Sequence, residues 1–370
     1  MTPGESTPLR VALLSPCFWP EVRRGSERFV RDLADGLLAR GHRPRLITSH
    51  AGRPETALED GLPVTRVWRP PNGWLESRGF EWYLTHWPLS EVALRRSNAT
   101  VAHAVFTTDG LAAARWSRST GRPSVLSYMG IPDHVGLHCR RLRARITRHA
   151  VAGADATVAL SRPVAEAFWT ELGVEARVIH PGVDLRAFTP GGNRFAEPTV
   201  FCGAAVADPM KRVDLLLRAF ARVRENRPGA RLLLSRPRDP REAAALDLPG
   251  VTLVDVDSRA ALAETYRRSW VSALPSLGEA FGLVLIESLA CGTPVVAHNS
   301  GGMREVVDSG RVGRLFDGGD PSALATELLH ALELSEDPST AAACRARAQH
   351  FSTERTTKAY LDLYAELLAA

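Results

Sequence analysis

Lys211, Glu279 and Glu287 are the side chains whose types and settings point most directly to chemistry. The two carboxylates lie eight positions apart in Glu279-Ala280-Phe281-Gly282-Leu283-Val284-Leu285-Ile286-Glu287. The stretch from about Phe281 to Ala290 reads as a helix, so Glu279 belongs to the loop before it and Glu287 lies about two turns inside. Gly282, lacking a Cβ, lets a ligand approach the helix N-terminus, where free N–H groups favour an anion. Amide donors for a diphosphate, with carboxylates for sugar and ribose hydroxyls, form the surface that a nucleotide sugar requires. A helical Glu taken alone is ordinarily a solvated residue. Lys211 stands out by count: of the 46 basic residues, only Lys211 and Lys358 are lysine. A compact ammonium has been kept beside Arg212 in a chain that otherwise uses arginine. A weaker candidate is Gly25-Ser26, which ends the first strand-to-helix loop and would let a phosphate approach the backbone. No Gly-x-Gly-x-x-Gly accompanies it, and Ser26 reads more simply as a helix N-cap.

These residues need a frame, and the hydrophobic pattern supplies one. Strand-like runs at Leu9–Ser15, Arg45–Thr48, Val64–Trp68, Thr100–Val105, Ser124–Tyr128, Ala156–Leu160 and Ala176–Ile179 alternate with helical stretches. The clearest of these is Ser26–Arg40, with Phe29, Leu33, Leu37 and Leu38 on one face and Gly41 as a stop. His180 to Pro198 is rich in Pro and Gly and reads as a linker. The alternation then restarts, with strands at Thr199–Gly203, Ala230–Ser235, Val251–Val254, Trp270–Leu274 and Pro294–Ala297. Helices are expected at Arg212–Asn226, near Arg241–Leu248, at Arg259–Arg268 and in the final segment Ser352–Ala370. The prediction is an α/β protein of two Rossmann-like, doubly wound domains, with ligands at the carboxyl ends of the strands and a cleft between the domains as the default site.

Composition narrows the field. The chain has 370 residues, 45% hydrophobic and 24% charged, which suits a soluble globular protein and leaves little room for disorder. The richest apolar stretch, Leu283 to Ala297, is interrupted by Glu287 and falls short of a membrane span. The apolar run after the polar N-terminus is too short for a signal peptide, so a cytoplasmic location is expected. Five dispersed cysteines form neither a disulfide framework nor a zinc pattern, and the eleven histidines show no metal-ligand spacing. The net charge of +5 is spread out, apart from a cluster from Arg140 to Arg148. That cluster reads first as a solvated helix face. Without an apolar stripe beside it, membrane association is not favoured, and nothing resembles a nucleic-acid module.

Three segments together resemble the signature of glycosyltransferase family 4, whose members are retaining transferases of the GT-B fold. They are Pro275-Ser276-x-x-Glu279-Ala280-Phe281-Gly282-Leu283, Glu287-Ser288-Leu289-Ala290-Cys291-Gly292-Thr293-Pro294-Val295-Val296-Ala297, and Gly301-Gly302-x-x-Glu305. Weaker matches extend the resemblance over nearly the whole chain. They are Arg40-Gly41-His42, Ala154 to Ser161, Pro181-Gly182-Val183-Asp184, and the lysine segment Pro209 to Phe220. The resemblance implies an acceptor-binding domain at 1–185, a nucleotide-sugar-binding domain at 186–350, and a helix at 351–370 packing back on the first domain. It implies that Glu279 contacts the donor sugar and Glu287 the ribose. The backbone at Phe281, Gly282 and Leu283 would hold the diphosphate and sugar, and Lys211 would neutralise the leaving diphosphate. Gly25 and Ser26 fall on the donor side as well. The implied enzyme needs no cofactor and no metal. Its partners are a nucleoside-diphosphate sugar, with UDP or GDP expected, and a small-molecule acceptor.

The chain also departs from the family pattern. Gly203-Ala204-Ala205 replaces the usual Gly-Arg, which makes Arg212 the candidate replacement cation. Ser235-Arg236-Pro237 replaces a Gly-rich turn, and Arg236 also offers charge. Met129-Gly130 replaces His-Gly, so His103, Met129 and His134 become the acceptor-side candidates. The competing readings are transfer to a membrane lipid, and a nucleotide-sugar-binding protein without transfer activity.

Overall fold

A computed structural model describes residues 8–21, 25–71, 73–74, 84–132, 137 and 141–370. The chain divides into two compact units. One comprises Met1–His180 with Thr353–Ala370, and the other Pro181–Ser352. Residues just after Pro181 are tied into the second unit. Arg345 donates to the carbonyls of Leu185 and Phe188, and the Val183 N–H donates to the Phe351 carbonyl.

The first unit is built on strands β1 (Arg10–Leu14), β2 (Arg43–His50), β3 (Glu55–Glu59), β4 (Leu62–Trp68), β5 (Val101–Ala104), β6 (Ser124–Tyr128), β7 (Ala156–Ala159) and β8 (Arg177–Val178). Their order is β3-β4-β2-β1-β5-β6-β7-β8. All neighbours are parallel except β3, which pairs antiparallel with β4. The sequence reading omits β3, because four of its five residues are exposed and no apolar run marks it. The local signal was its turn: Asp60 and Gly61 both adopt positive φ, the two-residue hairpin that Asp-Gly favours. The helix Gly25–Leu38 buries Phe29, Val30, Leu33 and Leu37.

The C-terminal helix Thr353–Ala369 is part of the first unit's core. Tyr360 and Tyr364 are fully buried there among Val11, Leu13, Phe29, Leu33 and Val125. Gly36 makes the approach of the two helices feasible, since a Cβ at that position would lie 2.1 Å from Thr357 Oγ1.

The second unit is a six-stranded, wholly parallel sheet. Its strands are β9 (Thr199–Cys202), β10 (Arg231–Ser235), β11 (Val251–Val254), β12 (Val271–Leu274), β13 (Val295–His298) and β14 (Gly313–Phe316), in the order β11-β10-β9-β12-β13-β14. The predicted strands and helices are present within a few residues. The sequence reading misses β14 and the two helices that follow it, Pro321–Glu336 and Thr340–Gln349. In this order the chain steps outward from β9 to β11 and then returns to place β12 on the other side of β9. The carboxyl ends of β9 and β12 therefore form a topological switch point, the place where open α/β sheets open a crevice for ligands.

Candidate active site

The loop after β9 descends to a turn of 3₁₀ helix, Pro209–Lys211. The Asp208 carboxylate caps it by accepting from the Met210 N–H at 2.9 Å. Arg212 then takes a left-handed conformation (φ 51°) and caps the helix Val213–Asn226. This break in direction leaves Lys211 on the loop rather than on the helix. The loop after β12, Pro275 to Gly282, ends in Gly282 at φ 97°, where a residue with a Cβ would be strained. Gly282 caps the helix Leu283–Ala290, so the amides of the first helical turn face the loop.

The two loops are held together at several points. The Leu277 N–H donates to the Met210 carbonyl at 3.0 Å. Lys211 Nζ donates to Glu279 Oε1 at 2.5 Å. Lys211 and Glu279, 68 residues apart, thus form one ion pair at the switch point, with side chains 26% and 19% exposed. The Glu279 backbone is fixed from below, since its carbonyl accepts from the Gly302 N–H at 3.2 Å. A Cβ on Gly302 would come within 2.3 Å of the Ala280 carbonyl oxygen and 2.6 Å of Phe281 Cα. Gly301-Gly302 is therefore the floor on which the glutamate loop rests. Phe281 is buried and packs edge-on against Phe351 at 5.2 Å. Glu287 is only 5% exposed, so it is not the solvated carboxylate that its place on a helix suggests.

Arg212 lies beside this pair. Its Nη2 donates to the Gly318 carbonyl at 3.1 Å, in the loop after β14. A Cβ on Gly319 would crowd the same nitrogen at 3.0 Å. His298, at the end of β13, shares a hydrogen bond with Ser300 Oγ at 2.8 Å. Its pKa is lowered by burial first and by the Arg212 charge second. The sequence reading ends the strand Pro294–Ala297 one residue before His298, and it misses the Gly318-Gly319 loop because it does not place β14. Arg236 is committed elsewhere, pairing with Asp255 at 3.0 Å and donating to the Leu253 carbonyl. That leaves Arg212 as the arginine next to Lys211.

In the first unit, Gly25 and Ser26 open the helix that follows β1, at that sheet's own switch point between β1 and β5. Ser26 Oγ donates to Glu27 Oε1 at 3.1 Å, and Cys17 Sγ donates to the same oxygen at 3.0 Å. His103 requires a correction. It is fully buried in β5, the strand between β1 and β6. Nδ1 meets Tyr364 Oη at 2.6 Å and Nε2 meets Ser127 Oγ at 2.7 Å. Burial lowers its pKa to about 3, so it stays neutral as a core histidine, closed off from any substrate. Met129 follows β6 and is half-buried against the first unit's core. His134 lies outside the described residues. Among the described residues no group of three or more His, Cys, Asp or Glu comes together to hold a metal ion. None of the described helices is long and apolar enough to cross a membrane.

Two doubly wound units, with an ion pair across the switch point of the second, define the architecture of a GT-B glycosyltransferase. The family models agree on both halves: residues 23–187 match Glycosyltransferase Family 4, and residues 197–334 match Glycosyl transferases group 1. The chain belongs to this glycosyltransferase family. It is 34% identical over 209 residues to a D-inositol 3-phosphate glycosyltransferase of Mycobacterium tuberculosis, a match covering 50% of this chain and 43% of that relative. The match thus spans less than half the length of that curated relative. The fold is similar to that of sucrose-phosphate synthase from Thermosynechococcus elongatus, with a TM-score of 0.83 and 23% identity over 98% of this chain and 99% of that one. It is also similar to Anabaena HepE in complex with UDP and glucose, with a TM-score of 0.75 and 21% identity over 96% and 99% of the two chains.

Proposed function

We propose that this chain transfers a sugar from a nucleoside-diphosphate sugar, UDP- or GDP-linked, to a small soluble acceptor in the cytoplasm, with retention at the anomeric carbon and without a metal or cofactor. The observation that carries this reading is the Lys211–Glu279 pair, 2.5 Å apart at the carboxyl ends of β9 and β12. Lysine has three donors and the pair uses one of them. Lys211 can therefore keep Glu279 while pointing its remaining N–H groups at a diphosphate. The second unit takes the donor. The amides that open Leu283–Ala290 and the Arg212 guanidinium supply further donors to the phosphates, Glu279 orients the sugar, and Glu287 accepts from the ribose. The first unit takes the acceptor.

In the transfer step the bond between the anomeric carbon and the phosphate oxygen breaks. The acceptor oxygen forms its bond on the same face, and its proton passes to the departing phosphate. Negative charge grows on the diphosphate as the bond lengthens, which is where a preorganised ammonium lowers the barrier. Relatives named for D-inositol 3-phosphate support a polyol-type acceptor.

A thermal-shift screen of UDP, GDP, ADP and dTDP sugars identifies the donor. Product NMR with that donor and a panel of polyols then reads the anomeric configuration. An inverted anomer would overturn the retaining mechanism. Turnover only with lipid vesicles would replace the soluble acceptor with a membrane one. Tight donor binding without any turnover would favour a binding protein.

A further inference from the structure

The geometry points to a second anion site in the first unit, at the amino ends of its strands, which takes a small organic phosphate. A cavity of about 320 Å³ opens there, bordered by the first residues of β1 and β2 and by the approach to β5. This is the edge opposite the carboxyl ends, so the cavity is separate from that sheet's own switch point. The inference stands independently of the transfer reading.

Three arginines border the cavity: Arg10, Arg43 and Arg45. Arg10 and Arg43 are register partners on neighbouring parallel strands, and Arg45 is partnered with Ala12. Neighbouring strands lie about 4.8 Å apart, and residues two apart on a strand share a face. The three guanidinium groups therefore start from one small patch, within reach of a single phosphate. Among the described residues the side chains of Arg43 and Arg45 make no hydrogen bond or ion pair. Arg10, also in the lining, is anchored through Nε to the Asn98 carbonyl at 2.7 Å, and among the described residues its two outer nitrogens have no partner.

Among the described residues, no carboxylate borders the cavity. Asp60 adjoins the bordering Gly61, but it lies near Arg31, which also pairs with Asp35 at 2.7 Å. His42 adds a neutral donor: its Nδ1 accepts from the Leu9 N–H at 3.2 Å, which leaves the proton on Nε2.

The rest of the lining selects for a carbon body rather than a bare ion. Leu38, Pro63 and Ala99 give the cavity an apolar wall. The arrangement suits a phosphate monoester with its phosphate on the arginine forks and a small uncharged body along that wall.

Phenyl phosphate is the probe, measured on the full chain by isothermal titration calorimetry at constant ionic strength. Phenyl phosphate is expected to bind more tightly than inorganic phosphate or phenol. The double variant Arg43→Gln/Arg45→Gln is expected to weaken it by about tenfold or more. Arg141→Gln/Arg143→Gln removes the same charge from another surface and is expected to leave binding within about twofold. A second measurement needs no variant. Phenylglyoxal labelling of the native chain, read by mass spectrometry, should show phenyl phosphate protecting Arg43 and Arg45. Equal weakening by both double variants would overturn the site, as would protection at Arg212 in place of Arg43 and Arg45. Protection only by anionic phospholipid vesicles would overturn the soluble ligand.

Discussion

Replacing Lys211 by arginine separates a leaving-group role from mere positive charge. The ammonium lies 2.5 Å from Glu279 Oε1, with both side chains roughly a quarter exposed. As a contribution to folding, such a partly exposed pair is worth only about 0.2–1 kcal/mol. As a contribution to transfer it is worth more, because its partner gains charge during the reaction. A unit of charge developing about 4 Å from Nζ, at an effective dielectric near 20, interacts by about 4 kcal/mol. Removing one preorganised donor typically costs about 10²–10³ in kcat, or about 2.7–4 kcal/mol, which is the same size. Lys211→Ala should therefore lower kcat by about 10²–10³ while moving the unfolding midpoint little. Lys211→Arg should lose most of the activity as well. Its planar fork would engage the Glu279 carboxylate bidentately and draw the charge away from the phosphates. Steady-state kinetics with the donor found by thermal shift, alongside urea unfolding of each variant, tests both halves. A Lys211→Arg enzyme with kcat within about threefold of native would refute the argument and shift the phosphate role to Arg212.

Glu287→Gln should raise the donor KM by about 10–100-fold with a smaller effect on kcat, since a hydrogen bond to a charged group is worth about 1.5–3 kcal/mol; Glu279→Ala should instead lower kcat at nearly constant KM. Gly302→Ala forces a Cβ to within 2.3 Å of the Ala280 carbonyl. It should destabilise the chain by about 1–3 kcal/mol and lower kcat by shifting the Glu279 loop, read by urea unfolding and kinetics together. His103, held neutral in the fold with a pKa of about 3, titrates near 6.5 when unfolded. Below pH 6.5 the unfolded state binds the extra proton, so stability should fall by about 1.4 kcal/mol per pH unit, reaching about 2 kcal/mol at pH 5. Urea unfolding from pH 7 to pH 5 checks this slope, and His103→Gln should flatten it.

What could be read from the sequence depended on whether a feature is local. The alternation of strands and helices is local, and it was enough to place two doubly wound units and most of their strands. The loop Pro275–Gly282 was legible for the same reason, since a glycine at a helix start with glutamates on either side is visible within one window. Exposed β3 and the short β14 left no apolar run, so the Gly318-Gly319 loop and its contact with Arg212 stayed hidden. His103 shows the opposite error. Its polar type suggests a ligand contact, while the unbroken run Thr100–Val105 marks a strand buried on both faces, where a histidine must find partners inside the core. Tyr364 and Ser127 are those partners, and Tyr364 arrives from 261 residues away.

The same distinction explains why Lys211 and Glu279 looked like separate candidates. Each stands out within its own segment, one by the scarcity of lysine and one by the glutamate motif. Nothing in either window reports that β12 returns to lie beside β9. The crossover makes that pairing, and with it brings an ammonium and a carboxylate to the switch point. Once they are together, their roles are no longer independent: Glu279 sets where the ammonium sits, and Lys211 sets which way the carboxylate points. A double-mutant cycle should therefore be strongly non-additive. The pair Lys211→Ala/Glu279→Ala should lose little more kcat than the worse single variant, with a coupling of about 1–3 kcal/mol. Full additivity would mean that the two groups act on the reaction separately, and that their contact at 2.5 Å is incidental to catalysis.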